Sequence, residues 1–144
     1  MKETYLGTKM IEAEPMTRGD YNVYRGWQIP ENENPNDEGY LITQNGGYIT
    51  WSPKNVFEEA YRESDAMTFG LAIEAMKKGK KVKRKGWIDG FLQIATGITY
   101  KAVDGETLEC GRDAIVFIVG TSAVQTEWLA SQVDMLAEDW MLVD

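Results

Sequence analysis

At 144 residues the chain has room for one ordinary domain or two very small ones. It is 43% hydrophobic, enough for a core, and its net charge of -8 argues against generic duplex DNA binding, which needs a basic face. The absence of histidine removes imidazole-based triads and metal ligation, while a lone Cys110 removes any intramolecular disulfide and fits a reducing cytoplasm.

Tyr5 to Ala13 reads as a first strand. Thr17 then has the position of a helix N-cap, with Asp20 as its acidic N3 residue and Met16 and Tyr21 as a hydrophobic staple. Glu31 to Gly39 is a polar, breaker-rich loop. Tyr40 to Thr43 and Tyr48 to Trp51 form a hairpin around Asn45-Gly46-Gly47, whose residues tolerate positive φ. Ser52-Pro53 opens a helix with an expected buried stripe of Val56, Phe57, Ala60 and Tyr61.

A short charged linker at 63–66 separates residues 1–62 from 67–144. Thr68 caps the next helix, in which Phe69, Ala72, Ile73 and Met76 recur at helical spacing before Gly79 ends it. Strands follow near Lys81 to Lys85, Phe91 to Ala95, Ile98 to Val103, Thr107 to Cys110, Ala114 to Val119 and Val124 to Trp128. Asp104-Gly105 makes one good turn and Gly120-Thr121-Ser122 a weaker one. Ser131 caps a short helix through Ala137, and Trp140 to Val143 closes the chain as a strand. The expected class is α+β: two small domains, each an antiparallel sheet with one or two short helices packed on it. The longest apolar run, Ala114 to Val119, is six residues, far short of the roughly 20 that span a bilayer. No membrane segment is expected.

Three features carry chemistry. Lys77 to Lys85 holds seven cations in nine residues, although residues 67–144 are acidic as a whole. On a strand Lys81, Lys83 and Lys85 share one face, and the plain reading is an edge strand guarded by lysines. Arg84 would point inward with Val82 and needs an anion there, either a structural carboxylate or a ligand phosphate. Trp87, after Gly86, is core packing or a stacking surface for a nucleobase, worth roughly 1–3 kcal/mol. In Trp128 to Trp140, the residues Leu129, Val133, Leu136 and Trp140 look like packing. Asp134 and Asp139, set among them, either cap local helix ends or accept hydrogen bonds from a base or ribose. Asn34 to Gly39 mimics a calcium loop, but Asn45 stands where the bidentate Glu belongs, and Gly79-Lys80-Lys81 lacks the Ser or Thr of a P-loop.

Met67-Thr68-Phe69-Gly70, Gly79-Lys80-Lys81-Val82, Arg84-Lys85-Gly86-Trp87 and the closing run Trp128 to Trp140 together make residues 67–144 resemble the phage Thoeris anti-defence protein 2 family. Residues 1–62 are similar to small phage proteins of unknown function. The resemblance implies a non-enzymatic sponge in the host cell cytoplasm. Such proteins bind cyclic ADP-ribose isomers, and in some cases cyclic dinucleotides, without cleaving them. It also implies homo-oligomers, typically tetramers, with pockets between subunits, and no cofactor. Trp87 corresponds to the family's Trp after the helix, and Asp134 and Asp139 to the acidic positions of its closing motif. Ile88-Asp89-Gly90 stands where the family usually has an Asn-Gly-type turn.

The expected ligand-binding set is therefore Trp87 for stacking, Arg84 and Lys85 for phosphate, and Asp134 and Asp139 for polar edges. The alternative is a protein interaction module presenting Tyr24, Trp27, Tyr48 and Trp51, although those aromatics read better as the first domain's core. A hydrolase built on Asp134 and Asp139 is disfavoured, because a spacing of five does not share a helical face.

Overall fold

A computed structural model describes residues 1–109, 111–120 and 123–144. Cys110, Thr121 and Ser122, where one expected strand ends and an expected turn falls, lie outside the described residues. The chain divides into two compact units, Met1–Arg62 and Glu63–Asp144, and both are antiparallel sheets with short helices, an α+β architecture.

The first unit is a three-stranded sheet of β1 (Glu12–Pro15), β2 (Gly39–Thr43) and β3 (Ile49–Pro53), with β2 in the middle. The β2–β3 hairpin turns at Gly46 and Gly47, both at positive φ. Helix α1 (Arg18–Arg25) starts where the sequence places it, with the Thr17 hydroxyl accepting the Asp20 N–H at 3.2 Å. The long polar loop has more structure than its composition suggests. Glu33 accepts two hydrogen bonds from Arg18, at 2.9 and 3.1 Å, and one from the buried Asn22 amide at 3.0 Å. The Arg18 guanidinium also lies over the rings of Tyr21 and Trp51, so one ion pair holds the loop to the helix and the sheet. Gly39 is required by close approach: a Cβ there would overlap the Trp51 ring and the Ser52 carbonyl.

Four expectations for this unit are corrected. Residues 1–11 form no strand; pairing begins at Glu12, opposite Thr43, because β2 ends there. Helix α2 (Lys54–Ala60) starts after Pro53 without a side-chain cap, since the Ser52 hydroxyl donates to the Pro53 carbonyl instead. Its expected stripe shrinks to Phe57 and Tyr61, both half-buried, with Phe57 stacked between Tyr40 and Tyr61, while Val56 and Ala60 face solvent. The core is built on Tyr21, Leu41 and Ile42. Tyr24, Trp27 and Tyr48 are exposed and Trp51 is half-buried.

The second unit is a five-stranded sheet in the order β10-β4-β5-β8-β9, with β4 (Lys81–Arg84), β5 (Phe91–Ala95), β8 (Ala114–Val119), β9 (Ala123–Gln125) and β10 (Trp140–Val143). A separate two-stranded ribbon joins β6 (Thr99–Lys101) to β7 (Thr107–Glu109). Helix α3 (Phe69–Lys77) begins with the Thr68 hydroxyl accepting the Leu71 N–H and gives Ala72, Ala75 and Met76 to the core. These pack with Met67, Val82, Leu92 and Trp140 in one cluster. Residues 63–66 hydrogen-bond within this unit, the Ser64 carbonyl accepting the Leu142 N–H.

Strand β4 is interior, paired with β10 on one side and β5 on the other. The guarded-edge reading of its lysines is thus overturned. Val82 pairs with Leu142 and Leu92 and turns into the core, so by the period of two Lys81 and Lys83 stand on the opposite face. There Lys81 lies 4.9 Å from the Phe91 ring centroid. A sheet covered on one face gives an interior strand the same alternation as an edge strand.

Trp140 is fully buried and its indole N–H donates to the Asp134 carbonyl at 2.9 Å. Trp140→Ala should cost about 3–5 kcal/mol in chemical denaturation, whereas Leu136→Ala, at an exposed position, should stay within about 0.5 kcal/mol. A Trp140→Ala loss no larger than that of Leu136→Ala would contradict this core.

Candidate functional site

The sequence-predicted residues converge where β4, the short helix α4 (Gln132–Leu136) and the start of β10 meet. Arg84 closes β4, and as the inward alternate to Lys83 and Lys85 its guanidinium enters this corner. It meets both aspartates. Its Nε and Nη2 donate to the two carboxylate oxygens of Asp139 at 2.9 and 3.2 Å, and its Nη1 donates to Asp134 at 3.2 Å. Between the two sequence readings of Arg84, the anion in this structure is carboxylate. Residues 50 and 55 positions away in sequence are joined by one planar cation, whose fork suits the bidentate contact.

Asp134 is held from several sides. Its second oxygen accepts the Ser131 N–H at 3.0 Å and the Ser131 hydroxyl at 2.8 Å, while the Asp134 N–H returns to that hydroxyl at 3.1 Å. This reciprocal box starts α4. Asp139 has fewer constraints and its side chain is more exposed. Burial pushes the Asp134 carboxyl up, but the Ser131 and Arg84 hydrogen bonds together outweigh it and hold the group below its ordinary range. The Arg84 contact draws Asp139 down as well, and Asp139 in turn raises Arg84. Both carboxylates are therefore ionised at neutral pH, and neither is poised as a proton donor, which would need a raised value.

Trp87 is half-buried beside this corner, its backbone N–H donating to the Arg84 carbonyl at 3.0 Å. Its ring meets Phe117, Trp128 and Trp140 edge to face, at centroid distances of 5.5, 6.0 and 5.5 Å. Phe69 joins the group through Trp128 and Trp140. Trp87 thus has both characters that its sequence left open: part of it packs on the core and part remains accessible. Gly90 makes room for this arrangement, since a Cβ there would press on the Phe117 ring, and its φ of 89° suits glycine. Lys85 pairs with Asp65 at 3.4 Å on the surface, and Lys83 donates to the Trp87 carbonyl at 3.4 Å. Trp128 and Phe117 were not singled out by the sequence. Trp128 lay within the closing run, and the continuous apolar run Ala114–Val119 was the available signal for Phe117.

One expectation here is corrected. Leu129, Val133 and Leu136 do not pack; they are 86%, 70% and 79% exposed. The capping box turns Asp134 inward, which leaves the apolar stripe of the same short segment facing outward.

Because both aspartates have lowered values in the folded chain, their contribution to stability is complete above the ordinary carboxylate range, near 4, and is lost as pH falls through the folded values. Asp139→Asn should therefore lose less melting temperature than the parent between pH 7 and pH 3. Equal losses in both chains would show that the Arg84–Asp139 pairing does not contribute.

Residues 67–143 match the model of the Tad2-like family, the Thoeris anti-defense 2-like domain. The chain is also 34% identical over 84 residues to Thoeris anti-defense 2 of Bacillus phage SP01, an alignment covering 54% of this chain and 94% of that protein. The converging Arg84, Trp87, Asp134 and Asp139 all lie within the matched segment, and the chain belongs to the Thoeris anti-defense 2-like family.

Proposed function

We propose that the protein is a phage anti-defence sponge, which captures a cyclic nucleotide messenger such as a cyclic ADP-ribose isomer in the host cytoplasm and releases it unaltered. The observation that carries this reading is the accessible part of Trp87 beside a partly exposed guanidinium. An indole face suits a base ring. Arg84 uses three of its five N–H donors on the aspartates, so two remain for a phosphate oxygen. Lys85 supplies a further cation, since an exposed pair such as Lys85–Asp65 is weak and can be exchanged. Asp139 has lone pairs left for a base amino group or a ribose hydroxyl. Asp134, more fully engaged with Ser131, contributes chiefly by holding Arg84.

A sponge must compete with a receptor, which calls for nanomolar binding or about -12 kcal/mol. One open corner of a monomer would struggle to supply that after the entropy cost of association. The outward stripe of Leu129, Val133 and Leu136 supports assembly through α4. A second copy seated there would enclose the corner and supply its groups twice over, as symmetric interfaces do. No helix among the described residues is long and apolar enough to cross a membrane.

Exposure of Tyr24, Trp27 and Tyr48 favours a second reading for the first unit, the docking of another protein. Recovery of a stoichiometric protein partner without nucleotide would support it.

Incubating the protein with candidate cyclic ADP-ribose isomers, removing free ligand and heat-denaturing it should release the messenger with its mass unchanged. Recovery of a hydrolysed product alone would make the protein an enzyme, and recovery of neither would remove the sponge reading.

A further inference from the structure

Residues 1–11 precede β1 without entering a helix or strand. Their composition is not that of a solvated tail: Tyr5 and Leu6 are 82% and 97% exposed, and Met10 is exposed as well. Large apolar groups left in water favour a surface that covers them. The segment also carries Lys2 and Lys9 against Glu3, a small positive excess, whereas residues 12–62 carry nine carboxylates and four basic side chains.

At the other end of the same sheet are two adjoining clefts of about 510 and 380 Å³, which share Glu38, Lys54 and Glu58. Apolar walls come from Trp51, Pro53, Pro15 and Met16, and acidic groups from Asp20, Asp37, Glu38 and Glu58. Lys54 pairs with Glu38 at 3.3 Å, and Glu58 accepts from the Tyr40 hydroxyl at 3.0 Å. This combination of apolar walls and acidic groups complements a segment that alternates Lys2, Tyr5, Leu6 and Lys9.

The register argues against docking within one chain. Glu12 opposes Thr43, and Lys9 reaches Gln44 at 3.5 Å, so the segment leaves the sheet at the Gly46–Gly47 turn. The clefts adjoin Pro15, Gly39 and Pro53, at the opposite end of the strands. We infer that residues 1–11 are an exchange arm, which docks in the acidic clefts of the first unit of a second copy of this chain. The contact is separate from the nucleotide corner of the second unit and does not rest on it.

Two full-length variants test this, both carrying Cys110→Ser: one with Leu6→Cys and one with Asn55→Cys. Mixed and treated with a short bismaleimide, they should give a covalent dimer containing one chain of each. That product should be lost when Glu38→Lys and Glu58→Lys are added to the Asn55→Cys chain, and should weaken in high salt, where screened charges attract less. Absence of the mixed dimer would overturn the proposal. So would its persistence with both charge reversals.

Discussion

The second unit depends on one guanidinium. Arg84 is placed by the strand period on the inward side of β4, where an unpaired charge is costly, and the chain answers with Asp139, just before the neighbouring strand β10, and Asp134 from α4. The pairing does more than neutralise. It ties the closing helix and strand to the middle of the chain. It also presents Arg84 at the surface beside Trp87 with N–H donors to spare. Ser131 reinforces the arrangement from below by gripping the far oxygen of Asp134.

The corner rests on a buried aromatic base. Trp140, fully buried, anchors the aromatic cluster, and its indole N–H is tied to the same Asp134 backbone that starts α4. Trp87 leans on this anchor edge to face and keeps part of its surface accessible. Charge balance matters to any ligand: two carboxylates against one guanidinium leave the trio negative, so binding a phosphate requires the lysine beside it. Lys85 adjoins the trio, its backbone N–H donating to the Asp139 carbonyl, and its side chain holds only a long contact, to Asp65.

Much of this was legible in the residues. Thr17, Thr68 and Ser131 announced three helix starts through hydroxyl caps, and the strands Phe91–Ala95, Ala114–Val119 and Trp140–Val143 followed from apolar runs bounded by polar ones. Arg84's need for an anion came from alternation alone. What escaped were facts of tertiary pairing. Interior β4 looked like an edge because only one face of its sheet is covered. Leu129, Val133 and Leu136 looked like core because periodicity does not say which face a capping box will turn inward. Glu33 looked like loop solvation because its partners, Arg18 and Asn22, come from a helix 11 or more positions away.

The central claim is that the half-buried Trp87 and Arg84 receive a cyclic nucleotide. Calorimetric titration of cyclic ADP-ribose isomers into the parent chain and into Trp87→Ala tests it most directly. The account expects tight binding by the parent and an affinity lower by roughly 1–3 kcal/mol in the variant, the value of one stacked base. Equal affinities in a folded Trp87→Ala chain would contradict it.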